Sequence, residues 1–129
     1  METGITGTGS FVVKEEDTAL AQGSGTLRVL ATPALIALME RTAWQSVADQ
    51  LDDGQTTVGT AMDMEHTAPT PVGMTVTCES KLVGVDRRAL MFEITAHDER
   101  GPVATATHSR FIVDSDRFQA KTDAKLRAE

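Results

Sequence analysis

Apolar positions recur along the chain with two different periods, helical between Thr32 and Leu51 and strand-like from Thr56 to Val113. The first stretch opens with Thr32-Pro33, the pairing expected of an N-cap and the first helical residue. It then runs without Gly or a second Pro to Asp52-Asp53-Gly54, a stop signal. Beyond Gly54 the period is two. Val58, Thr60, Met62, Met64 and His66 share one face of a strand over Thr56 to His66, and Gly59, Ala61, Asp63 and Glu65 share the other. Pro69 and Pro71 end that strand. A second strand over Met74 to Val85 places Met74, Val76, Cys78, Ser80 and Leu82 on one face. Asp86-Arg87-Arg88 turns the chain into a third, with Leu90, Phe92, Ile94 and Ala96 at period two. Asp98 to Pro102 reads as a turn, Val103 to Val113 as a further strand, and Asp114 to Glu129 as a polar tail of helix-forming composition. Ahead of the helix, Phe11 to Leu20 suggests a first strand, Ala21 to Thr26 a loop, and the Gly/Thr-rich residues Met1 to Ser10 a loose end. One long helix among antiparallel strands is an α+β arrangement within a single domain, 1–129.

Glu40 breaks the helical pattern. At about 100° per residue, Ile36, Ala37, Ala43, Trp44, Val47 and Leu51 fall within roughly 60° of it, whereas Arg41, Thr42, Gln45, Ser46, Asp49 and Gln50 fall outside. A carboxylate in the middle of an apolar face is paired, protonated or reactive, because stripping its water costs several kcal/mol. Leu35 and Leu38 lie opposite, so the first half of the helix is apolar nearly all round, as in an element covered on more than one side. On the strand, His66 shares the apolar face. A sheet wrapped around the helix brings this acid and this histidine toward one another. Thr32 lies two turns from Glu40, about 12 Å at 1.5 Å per residue, a gap that a substrate can span.

Composition narrows the partners. The net charge is −7 with no basic cluster, which argues against nucleic acid and against anionic membranes. The longest apolar run, Leu30 to Met39, contains Thr and Pro and is too short to span a bilayer. One cysteine, Cys78, excludes an internal disulfide and fits a reducing, cytoplasmic setting; its place in the strand alternation marks it as packing. Asp63 and Glu65 sit near His66 in sequence, but alternation turns them away from it, so no metal site is expected. Neither His97 nor His108 falls on a clear site. Arg87, Arg88 and Arg110 are candidates for phosphate contacts or simply solvated charges.

Several stretches carry a more specific resemblance. They are Val29-Leu30-Ala31-Thr32, Leu38-Met39-Glu40-Arg41-Thr42-Ala43, Gly59-Thr60-Ala61, His66-Thr67-Ala68, Pro71-Val72-Gly73-Met74-Thr75-Val76-Thr77, Ala96-His97-Asp98 and Thr107-His108. In this order the chain resembles the fluoroacetyl-CoA thioesterase family, whose hot dog fold wraps an antiparallel sheet around one long central helix. The resemblance implies a catalytic set of Thr32, Glu40 and His66, an active site lined by Gly59, an acyl-CoA substrate, and a homodimer. Arg110 is the further substrate-binding candidate, and no cofactor is expected. It also implies that Glu40 either attacks the acyl carbon or activates water, while His66 manages protons. Two other hot dog functions compete, a non-catalytic acyl-CoA binding protein and a hydratase or dehydratase. The Asp-x4-His signature of the latter is missing around His66, His97 and His108. The family carries an aromatic lid ahead of its threonine, where this chain reads Gln22-Gly23-Ser24-Gly25-Thr26-Leu27. A more open, less selective pocket is expected.

Overall fold

A computed structural model describes residues 1–127. Five strands form one antiparallel sheet: β1 (Thr6–Val12), β2 (Gln55–His66), β3 (Thr75–Asp86), β4 (Ala89–Asp98) and β5 (Gly101–Asp114), in the spatial order β1-β3-β4-β5-β2. A short helix α1 (Ala19–Gln22) precedes the long helix α2 (Thr32–Val47), and α3 (Ser115–Asp123) follows the sheet. Alternation along β3 and β4 holds as the sequence predicts: Val76, Cys78, Ser80, Leu82, Leu90, Phe92, Ile94 and Ala96 are all buried. They meet Leu35, Leu38, Met39, Ala43 and Val47 of α2 in one core, which is the hot dog arrangement.

The first strand lies earlier than Phe11 to Leu20. It occupies Thr6–Val12, so residues 6–10, expected to be loose, pair with β3 instead, from Thr6 opposite Lys81 to Val12 opposite Thr75. The reason lies in the glycines. Gly7 and Gly9 face the helix, and a Cβ on Gly7 would stand 2.7 Å from the Ser46 Cβ, while one on Gly9 would collide with the Thr42 hydroxyl. That hydroxyl is fixed by bonds to the Leu38 carbonyl at 2.8 Å and to Cys78 Sγ at 3.0 Å. Gly9→Ala is therefore expected to destabilise the protein by about 1–3 kcal/mol through overpacking. A urea midpoint equal to the parent's would refute this account of β1.

Two further differences shape the site. Helix α2 buries Leu35, Leu38 and Thr42, the side opposite Glu40, against its own sheet. The apolar sector around Glu40 is split: Ala43 and Val47 are buried in the core, whereas Ala37 is exposed and Trp44 keeps 41% of its surface, so the Ala37–Glu40–Trp44 strip is left open. On β2, simple alternation fails at Thr60. Gly59 pairs with Arg110 and Ala61 with Ser109, leaving Thr60 as the extra residue of a β-bulge. The bulge inverts the alternation. Gly59, expected on the outer face, turns toward the helix and shares that side with Met62, Met64 and His66.

Candidate active site

The predicted residues fall into two groups. The first lies where α2 begins. Ala31, not Thr32, is the N-cap residue, and Thr32 is the first residue of the helix. Its side chain is therefore not used as a cap, and Thr32 Oγ1 stands 2.8 Å from His66 Nδ1. Chain pairing on either side fixes this meeting. The Leu30 N–H donates to the Thr70 carbonyl at 2.9 Å, and the Thr67 N–H donates to the Val103 carbonyl at 2.7 Å. These bonds hold the entry to α2 beside the exit from β2. Loss of water around His66 lowers its pKa below the ordinary 6.5, partly offset by the Ala68 backbone, so the ring is neutral at pH 7. Its Nε2 is buried without a hydrogen-bond partner.

A cleft of about 310 Å³ opens here, lined by Ala19, Ser24, Val29, Thr32, His66 and Ala68 among others. Where an aromatic lid was missing from the sequence, α1 and its following loop offer only small side chains to the cleft. Leu20 and Leu27 remain 54% and 66% exposed, and neither Phe11 nor Trp44 lines it.

The second group surrounds Glu40, whose side chain is 43% exposed. Arg110 NH1 approaches Glu40 Oε2 at 3.5 Å. The Arg110 side chain is only 6% exposed, which corrects its reading as a solvated charge. Its Nε donates to Thr57 Oγ1 at 2.8 Å and its NH2 to the Thr57 carbonyl at 3.0 Å. Burial pulls the guanidinium below its usual pKa, and Glu40 opposes that shift. Gly59 completes the group: an added Cβ would stand 2.7 Å from Glu40 Oε2, so only glycine lets the carboxylate lie this close to the backbone of β2.

His108 also belongs here, although sequence reasoning left it aside. It is 2% exposed, and its Nε2 lies 3.2 Å from Arg110 NH1. The signal was present on β5, where Ala104, Ala106, His108 and Arg110 occupy successive inward positions. Two ionisable side chains in such a series need partners.

A long helix laid across a five-stranded antiparallel sheet is the hot dog fold, and comparison with known proteins places the chain among its thioesterases. A family model described as fluoroacetyl-CoA-specific thioesterase matches residues 13–116. The fluoroacetyl-CoA thioesterase of Streptantibioticus cattleyicolor is 36% identical over 100 residues, 78% of this chain and 72% of that protein. A solved structure of the fluoroacetyl-CoA thioesterase FlK superposes with a TM-score of 0.91 at 32% identity, covering 97% of each chain. A hot-dog-like protein from Thermanaerovibrio acidaminovorans shares the fold at a TM-score of 0.90 and 22% identity, covering 100% of this chain and 96% of the other. The chain belongs to the fluoroacetyl-CoA-specific thioesterase family and is a thioester hydrolase.

Proposed function

We propose that the protein hydrolyses small acyl-CoA thioesters using Glu40, His66 and Thr32, with Gly59 and Arg110 flanking the acyl group. The observation that carries this reading is the Thr32–His66 hydrogen bond at 2.8 Å in a chain of this family that also keeps Glu40 beside Gly59 and Arg110. Two routes fit the groups present. In one, Glu40 attacks the thioester carbon, coenzyme A leaves as its thiolate, and water opens the resulting mixed anhydride. In the other, Glu40 takes a proton from the water that attacks directly. In both, neutral His66 accepts and returns a proton while Thr32 orients it. Arg110, held by Thr57, keeps the Glu40 carboxylate aimed.

The working unit in this proposal is a cytoplasmic homodimer. The open Ala37–Glu40–Trp44 face of α2 and the unpaired edge of β2 support the dimer, because both expose groups that a second copy can cover. Among the described residues no helix is long and apolar enough to cross a membrane.

Thiol release from a panel of acyl-CoAs tests the activity. Hydrolysis of acetyl-, fluoroacetyl- and somewhat longer acyl-CoAs is expected, with only a weak preference for fluoroacetyl. Small side chains at the cleft exclude less water than an aromatic lid would, which weakens the polar contacts that discriminate fluorine from hydrogen. A fluoroacetyl-to-acetyl ratio of kcat/KM above about a hundredfold, near 3 kcal/mol at about 1.36 kcal/mol per tenfold, would refute the open-cleft reading. Tight acyl-CoA binding without thiol release would refute hydrolysis.

A further inference from the structure

We infer that His108 is a positioning residue which, as a neutral ring protonated on Nδ1, holds the Arg110 guanidinium in line with Glu40. The inference rests on the role proposed above for Glu40. Two contacts fix the tautomer independently. His108 Nδ1 lies 2.7 Å from the Ala61 carbonyl, which only accepts, so Nδ1 carries the proton. His108 Nε2 lies 3.2 Å from Arg110 NH1, which only donates, so Nε2 presents its lone pair. Arg110 NH1 has two hydrogens, and these serve His108 and Glu40. The remaining Arg110 contacts go to Thr57.

A chain of donors thus runs from the β2 bulge to the acid: His108 to the Ala61 carbonyl, Arg110 to His108, and Arg110 to Glu40. The last of these spans 3.5 Å, the long end of hydrogen bonding, so a small rotation of the guanidinium decides whether the carboxylate is held. His108 holds the NH1 end of the guanidinium, while Thr57 holds Nε and NH2. Its burial and the neighbouring Arg110 charge both favour the neutral ring, opposed by Ala61 and Glu40. Since Nδ1–H is committed to a carbonyl and Nε2 to a cation, His108 has no proton to exchange with substrate. His66 and His108 therefore do different work: one moves protons, the other aims a cation.

Two measurements test this. On the unaltered protein, the ¹⁵N shifts of the histidine side chains report the tautomer directly. His108 is expected to be protonated at Nδ1 and bare at Nε2 at pH 7, and the reverse would overturn the inference without any variant having to fold. In the second, His108→Asn keeps a donor for the Ala61 carbonyl and removes the acceptor for Arg110, whereas His108→Gln places an amide oxygen near the former Nε2. His108→Asn should lose about tenfold to a hundredfold in kcat, the range expected from a misplaced group, with a much smaller change in KM. His108→Gln should recover most of that loss. Equal kcat values for the two folded variants would overturn the inference. Full activity of Glu40→Gln would instead refute the role of Glu40, a failure that the tautomer measurement distinguishes.

Discussion

Glu40→Gln is expected to lower kcat for thioester hydrolysis by about 10²–10⁴-fold, the range for removing an acid–base group, while leaving the fold intact. The amide keeps the volume of the side chain and an oxygen for Arg110, but it neither attacks a thioester nor takes a proton from water. Glu40 is 43% exposed and the amide oxygen still accepts from Arg110, which keeps its Thr57 contacts, so the stability change should be small beside the kinetic loss. A large kinetic loss with a small thermal shift therefore separates chemistry from structure. His66→Ala should lose turnover over a similar range, because His66 is the titratable group hydrogen-bonded to Thr32 Oγ1. The pH profile adds a further check. Loss of water around His66 favours its neutral form, so the acid limb belonging to this ring should lie below the ordinary histidine value of 6.5. Thiol release measured on each purified variant decides the matter. Near-normal turnover by Glu40→Gln would remove Glu40 from the mechanism, and a loss confined to Glu40→Gln would remove His66.

Much of this arrangement is legible in the sequence, and the exceptions have physical causes. The helix from Thr32 and the inward faces of β3 and β4 follow from periodicity alone, since burial on one side writes its period into the residues. Glu40 was visible as a charge among apolar neighbours, but periodicity does not say what covers a face. The protein's own sheet covers Leu35 and Leu38, and the sector of Glu40, Ala37 and Trp44 stays open. The bulge at Thr60 is set by pairing with β5, a non-local property, so alternation put Gly59 on the wrong side even though the family resemblance marked it. Residues 6–10 looked loose because Gly and Thr signal loops, whereas here glycine is what the close approach of α2 to β1 requires. Taken singly, His108 falls on no clear site and Arg110 reads as a substrate-binding residue or a solvated charge. Their meaning lies in the pair, two residues apart on one inward face and joined to Glu40 from another element.

Mixing the two inactive proteins, Glu40→Gln and His66→Ala, is expected to restore about a quarter of the parent activity. Within one chain, Thr32 and Glu40 are separated by two turns of α2, about 12 Å at 1.5 Å per residue, and the Thr32–His66 pair touches the near end only. The two groups thus stand apart along an open helix face. In the proposed dimer, a two-fold axis through that face would run α2 antiparallel to the α2 of a second copy and bring the Thr32 end of one helix toward the Glu40 region of the other. The same axis would let the unpaired edge of β2, a strand of 12 residues, meet its own copy. A site built this way takes its acid from one protomer and its Thr–His pair from the other. In a mixture that exchanges freely, about half of the dimers hold one copy of each variant, and each of these has one intact site of two. The two separate variants supply the baseline, and light scattering supplies the oligomeric state. Activity that stays at the baseline after subunit exchange would place the whole site within one chain, and a monomer at micromolar concentration would remove the dimer altogether.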